Sequence, residues 1–127
     1  MTSPGHAPES VLVTGGGGFL GLAIVRALTA RGDRVRSYSR SAHAELQALG
    51  IEQVCGDIAD LQALERACAG MEAVFHTASK PPPWGRTADY HRTNVLGTQT
   101  VIAACRNTRV PRLIHTRTPS GTWSGHR

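Results

Sequence analysis

Apolar positions fall along this chain in two alternating patterns, and the alternation predicts a repeating strand and helix order. Val11, Leu12 and Val13 form a continuous apolar run, as in a parallel strand covered on both faces. From Leu20 the spacing changes to helical, with Leu20, Ile24, Ala27 and Leu28 on one face, and Gly32 and Asp33 supply a turn. Residues 34–39 alternate as a second strand. Residues 42–49, with Leu46 and Leu49 at helical spacing, read as a helix stopped by Gly50, and residues 51–55 as a third strand. Asp60 stands where it can cap a helix whose apolar stripe is Leu61, Leu64 and Cys68 and which ends at Gly70. Residues 73–77 form a fourth strand. Residues 80–85 carry three prolines and make a loop, either a lid over a substrate or a stiff connector. A long helix over 89–105 sets Val95, Thr98, Ile102 and Cys105 on one face, and residues 110–116 supply a fifth strand in which Pro111 fits only near the start.

The glycines between the first strand and first helix carry the candidate chemistry. Gly15, Gly18 and Gly21 stand in a G-x-x-G-x-x-G spacing. In a nucleotide-binding turn the first permits the bend, the second admits a pyrophosphate to the backbone, and the third lets helix approach strand. The first-turn N–H groups, at Phe19 and Leu20, point back at the glycines and favour an anion there. A plain flexible turn is the alternative, but the strand before and helix after are the setting a phosphate-binding turn requires.

Other candidates lie where further strands end. Ser39 and Arg40 follow the second strand, where NAD-binding folds carry a carboxylate for the ribose. No carboxylate is present; the Arg40 guanidinium suits the 2′-phosphate of NADP, or is simply solvated. Asp57 and Ile58 follow the third strand, placed to accept from an adenine amino group and to pack on its ring; for Asp57 a turn or cap is the alternative. Thr77, Ala78 and Ser79 at the end of the fourth strand would pass beneath a nicotinamide ribose. His76, inside an apolar strand, reads as a packed core residue rather than a base. Asn94, in Asn94-x-x-Gly97-Thr98, offers an amide to hold neighbouring strand ends.

Composition narrows the classes. At 127 residues the chain suits one domain over 10–127 after a disordered tail at 1–9, with no separate substrate domain. The net charge of +5 is dispersed and almost wholly arginine, with Lys80 the only lysine, so it forms no nucleic-acid stripe. No apolar stretch approaches the ~20 residues of a membrane span, and the first residues lack an export signal's apolar core. A cytoplasmic protein is expected. Cys55, Cys68 and Cys105 match neither a disulfide framework nor a metal site and read as small buried hydrophobes.

Taken together, Thr14-Gly15-x-x-Gly18-x-x-Gly21, Gly56-Asp57-Ile58, the strand into Ser79, Asn94-x-x-Gly97-Thr98 and Thr116-Arg117-Thr118-Pro119-Ser120 resemble the extended short-chain dehydrogenase/reductase family. The likeness is to its NAD-dependent epimerase/dehydratase and 3β-hydroxysteroid dehydrogenase-like branch. It implies a three-layer α/β Rossmann-like domain with parallel strand order 3-2-1-4-5, and NADP or NAD as cofactor, with Arg40 favouring NADP. The implied reaction moves hydride between nicotinamide and a hydroxyl or ketone. Such enzymes use a tyrosine as acid/base, a lysine four residues later, and a serine or threonine on the reacting oxygen. Thr118 best matches that last role, with Ser120 in reserve.

The chain departs from the pattern at Arg117, where relatives carry serine, and at Gly121, where they carry a β-branched residue. No Tyr-x-x-x-Lys occurs: Tyr38 is followed four residues later by Ala42, and Tyr90 by Asn94. The expectation is the amino-terminal part of a longer oxidoreductase, truncated after the fifth strand and inactive alone. A non-catalytic dinucleotide-sensing or interaction module, or a non-functional fragment, is the alternative. Expected partners are a dinucleotide, a small-molecule substrate only in a completed enzyme, and a second copy through the 89–105 helix; nucleic acid and membrane are not expected.

Overall fold

A computed structural model of the chain describes residues 8–15, 19–78 and 87–117. Strands and helices alternate through them: β1 Ser10–Thr14, α1 Phe19–Ala30, β2 Arg34–Ser39, α2 Ala44–Ala48, β3 Glu52–Cys55, α3 Leu61–Cys68, β4 Ala73–Ala78, α4 Thr87–Asn107 and β5 Arg112–Arg117. The strands make one parallel sheet in the order β3-β2-β1-β4-β5. This is the order expected from the sequence. β1 lies at the centre, which is why its run of valine and leucine is apolar on both faces.

Side-chain alternation along β1 divides the core in two. Val11 and Val13 pack with Val25 and Leu28 of α1 and Leu46 of α2. Leu12 points the other way, into Tyr38, Leu64, Cys68, Val74, Val101 and Ala104 beneath α3 and α4. Helices therefore cover both faces. Their crossovers diverge between β1 and β4, and the carboxyl ends of strands at such a switch of direction are where open α/β sheets take their ligands.

Local signals account for the element ends. Asp60 caps α3 through its side chain, accepting from the Ala63 N–H at 3.1 Å. Pro111 immediately precedes β5, where its missing donor breaks no ladder bond. Glu9, read from the sequence as part of a tail, is hydrogen-bonded: its carbonyl accepts from Arg34 at 2.8 Å and its N–H donates to Asp33 at 3.0 Å.

Several faces differ from the sequence reading. α2 is short, and Leu49 falls beyond it and is exposed, as is Leu61 in the first turn of α3. α4 turns Gly97, Val101, Ala104 and Cys105 inward, leaving Val95 54% and Ile102 39% exposed rather than buried beside Cys105. Small residues decide that phase. Gly97 lets α4 settle against Ile58, where a Cβ would come within 3.0 Å of the isoleucine side chain. Cys55 is exposed, not buried, because it ends the edge strand β3; Cys68 and Cys105 are buried as expected.

Candidate functional site

The carboxyl ends of β1 and β4 are laced together by threonine. The Thr77 hydroxyl donates to the Thr14 carbonyl at 2.8 Å, and the Thr77 N–H donates to the Thr14 hydroxyl at 3.3 Å. Gly15 follows with φ +73, a left-handed conformation that favours glycine. A Cβ there would also stand 2.4 Å from the Thr77 hydroxyl oxygen, so the turn requires glycine on both counts. Phe19 and Leu20 open α1 just beyond, and Gly21 is buried, bringing the helix close to the sheet. The amino-terminal N–H groups of α1 thus belong to the same end of the sheet as the Gly15 turn.

His76 lies beneath this junction, 6% exposed. Its Nδ1 is 2.7 Å from the Thr14 hydroxyl and its Nε2 3.1 Å from the Thr98 hydroxyl of α4. The ring stacks on His115 of β5 at 5.1 Å between centroids. Burial, reinforced by the neighbouring His115, lowers its pKa to about 4, so the imidazole is neutral near pH 7. The packed reading of His76 holds, though its partners are polar.

Beyond β3 the loop bearing Asp57 is heavily bonded. Asp57 Oδ1 accepts from the Ala59 N–H at 2.8 Å, the turn role that the sequence left open. The Asp57 carbonyl accepts from the Tyr38 hydroxyl at 2.6 Å and from the Asp60 N–H at 3.0 Å. Burial, with Asp60 and Asp57 close by, raises the Tyr38 phenol above its ordinary value and keeps it a donor. Ile58 packs against the α3 and α4 cluster beside Gly97. Its side chain is only half-buried there, packing one side on the core.

Arg40 is exposed just after β2, next to Ser39, whose hydroxyl donates to the Ser41 carbonyl at 2.8 Å. Thr77 and Ala78 end β4, as read from the sequence. Asn94 lies within α4, but its side chain falls outside the described residues, as do Gly18, Ser79, Thr118 and Ser120. Sequence reasoning gave no role to the hydroxyls of Thr14, Tyr38 and Thr98. Thr14 and Tyr38 carried a faint signal, as hydroxyl-bearing residues at or next to strand ends. Among the described residues no group of three or more metal-ligating side chains occurs, and no helix is long and apolar enough to cross a membrane.

A glycine turn closing the central strand of such a sheet, with a helix start opening over it, defines a Rossmann-type dinucleotide-binding domain. The particular lineage follows from comparison with known proteins. The profile of the 3-beta hydroxysteroid dehydrogenase/isomerase family matches residues 12–122, and the chain belongs to that family. It is 52% identical over 112 residues to a 2-alkyl-3-oxoalkanoate reductase of Stenotrophomonas maltophilia (strain K279a), covering 88% of this chain and 34% of that protein. It is 42% identical over 108 residues to a 4-hydroxy-2-methyl-3-oxo-4-farnesyl-3,4-dihydroquinoline-1-oxide ketoreductase of Stigmatella aurantiaca, covering 84% and 32%. Among solved structures, a short-chain dehydrogenase/reductase superfamily protein from Agrobacterium tumefaciens with bound NAD superposes with a TM-score of 0.68 at 34% identity, over 84% of this chain and 31% of that one. The chain thus spans about a third of the length of these relatives and corresponds to their amino-terminal, NAD-binding region.

Proposed function

We propose that this chain binds NADP(H) as the cofactor-holding part of an oxidoreductase that moves hydride between nicotinamide and a hydroxyl or ketone, and that the 127-residue chain binds without turnover. The carrying observation is the Gly15 turn locked against Thr77 at the switch point between β1 and β4. Relatives named as a reductase and a ketoreductase support the reaction class.

The residues present fit a dinucleotide. The N–H groups at Phe19 and Leu20, with Gly18, would take the pyrophosphate, Gly21 letting α1 lie close to the sheet, and exposed Arg40 the 2′-phosphate. Exposed Asp57 would accept from the adenine amino group, while Thr77, Ala78 and Ser79 would pass beneath the nicotinamide ribose, with Asn94 steadying the strand ends. The bound cofactor supplies hydride transfer. Thr118, or Ser120, would hold the reacting oxygen in a completed enzyme.

Neither Tyr38 nor His76 is set to move a proton. The Tyr38 hydroxyl is committed to the Asp57 carbonyl, and the His76 ring is enclosed between two threonine hydroxyls. The same two facts favour, as a second reading, a module that senses dinucleotide without chemistry. Titration of the chain with NADPH and NADH tests the site: saturable binding, tighter for NADPH, with no NADPH oxidation by added ketones is expected. Absence of binding to both dinucleotides overturns the assignment.

A further inference from the structure

Tyr38 touches two separate stretches at the carboxyl ends of the strands. Its carbonyl accepts from the Gly15 N–H at 3.2 Å, and its hydroxyl donates to the Asp57 carbonyl at 2.6 Å. The approach to Asp57 is constrained from the other side as well. The Gly56 N–H donates to the Ser39 carbonyl at 2.9 Å, and a Cβ on Gly56 would stand 2.4 Å from the Tyr38 hydroxyl oxygen. The tyrosine is only 1% exposed, in the cluster that holds Leu64 and Val74. Water is therefore a poor substitute partner for its hydroxyl, and the bond to Asp57 is strongly held. The Asp57 residue it steadies is itself exposed, with Oδ1 occupied by the Ala59 N–H.

We propose that Tyr38 is a positioning residue for adenine recognition: it fixes the spacing between the glycine turn that takes the pyrophosphate and the Asp57 carboxylate that takes the adenine amino group. This rests on the dinucleotide reading given above. Selectivity for a 6-amino purine then depends on a phenol that touches no ligand. Phenylalanine would fill the same core space but leave the Asp57 carbonyl with the Asp60 N–H alone, loosening its tie to β2. The carboxylate would lose its registry with the bound base, and hydrogen bonds weaken steeply with misalignment.

The test compares NADPH with its 6-oxo (hypoxanthine) analogue, which presents an oxygen where adenine presents an amino group. Wild type is expected to prefer NADPH by about tenfold or more, since a site built to accept a hydrogen bond rejects the analogue lacking the donor. In Tyr38→Phe the preference falls toward unity, while affinity for the 6-oxo analogue stays within about twofold. A merely structural lesion weakens both ligands together and leaves the ratio standing, and that result, or an unchanged ratio in folded Tyr38→Phe, overturns the inference. Should that variant not fold, Gly56→Ala pushes a methyl against the phenol while leaving Tyr38 in place, and the same fall in ratio is expected; an unchanged ratio there also overturns it. Wild type that binds both ligands equally overturns this inference and leaves the dinucleotide reading intact. Wild type that binds neither overturns both.

Discussion

The Thr14 hydroxyl and His76 Nδ1 lie 2.7 Å apart across 62 residues of chain, and the opposite ring nitrogen reaches Thr98. A neutral imidazole offers one donor and one acceptor, which suits two hydroxyls that can each play either part. A protonated ring would carry two donors and a buried charge beside His115.

Stability should therefore depend on pH in a defined direction. Burial and His115 hold the folded pKa near 4 against an ordinary 6.5, so the unfolded chain binds the proton first. The contribution is complete above pH 6.5 and is lost as pH falls through 4, amounting to about 3 kcal/mol. Urea denaturation between these limits should show a steeper loss in wild type than in His76→Gln, in which the other acidic groups titrate alike. Coincident profiles would mean that the ring is not held neutral.

Gly15→Ala combines a left-handed backbone with a clash against Thr77. A loss of about 1–3 kcal/mol is expected in chemical denaturation, together with loss of dinucleotide binding in titration. Adding Thr77→Ala should restore only the steric share, because the backbone strain remains.

Cofactor choice should rest on Arg40. Replacement by alanine is expected to weaken NADPH by about ten- to a hundredfold, the range of a charge-assisted bond. NADH affinity should stay within about threefold, since NADH lacks the 2′-phosphate. Equal losses for the two cofactors would remove Arg40 from this role.

Thiol chemistry should separate the three cysteines. Exposed Cys55 is expected to react promptly with an aromatic disulfide reagent. Cys105, hydrogen-bonded to Cys68 and buried, has its thiol pushed up in pKa, and both lie in the core. They should react only at the rate of unfolding, read by mass spectrometry of labelled peptides.

The outer face of α4 should mediate self-association. Val95, Leu96 and Ile102 are 54%, 50% and 39% exposed, and covering what remains open is worth about half of the ~1.5–3 kcal/mol that full burial of such a side chain yields. Sedimentation velocity is expected to show a dimer that Leu96→Glu dissociates; a wild-type monomer at all concentrations would refute it.

The buried place of β1 was legible because a parallel strand covered on both faces must be apolar throughout, and the Val11 to Val13 run meets that demand by itself; the full strand order came from the family resemblance. The Asp60 cap was equally plain, since a helix start has few ways to satisfy its N–H groups. The phase of α4 was not. Val95, Thr98, Ile102 and Cys105 make a self-consistent stripe, and only the approach to Ile58 shows that Gly97 faces inward. Of the candidate site, the Gly15 turn could be read from spacing, whereas the Tyr38 bond to Asp57 joins positions 19 residues apart that no local pattern links.

Glu9 carries a practical corollary. Its carbonyl meets Arg34 at the start of β2 and its carboxylate pairs with Arg112 at the start of β5. Glu9 is thus fastened to the end of the sheet opposite the Gly15 turn. A tether or fusion attached ahead of it would hold the domain with its nucleotide end facing outward, a favourable orientation for immobilising it on an affinity or sensor surface.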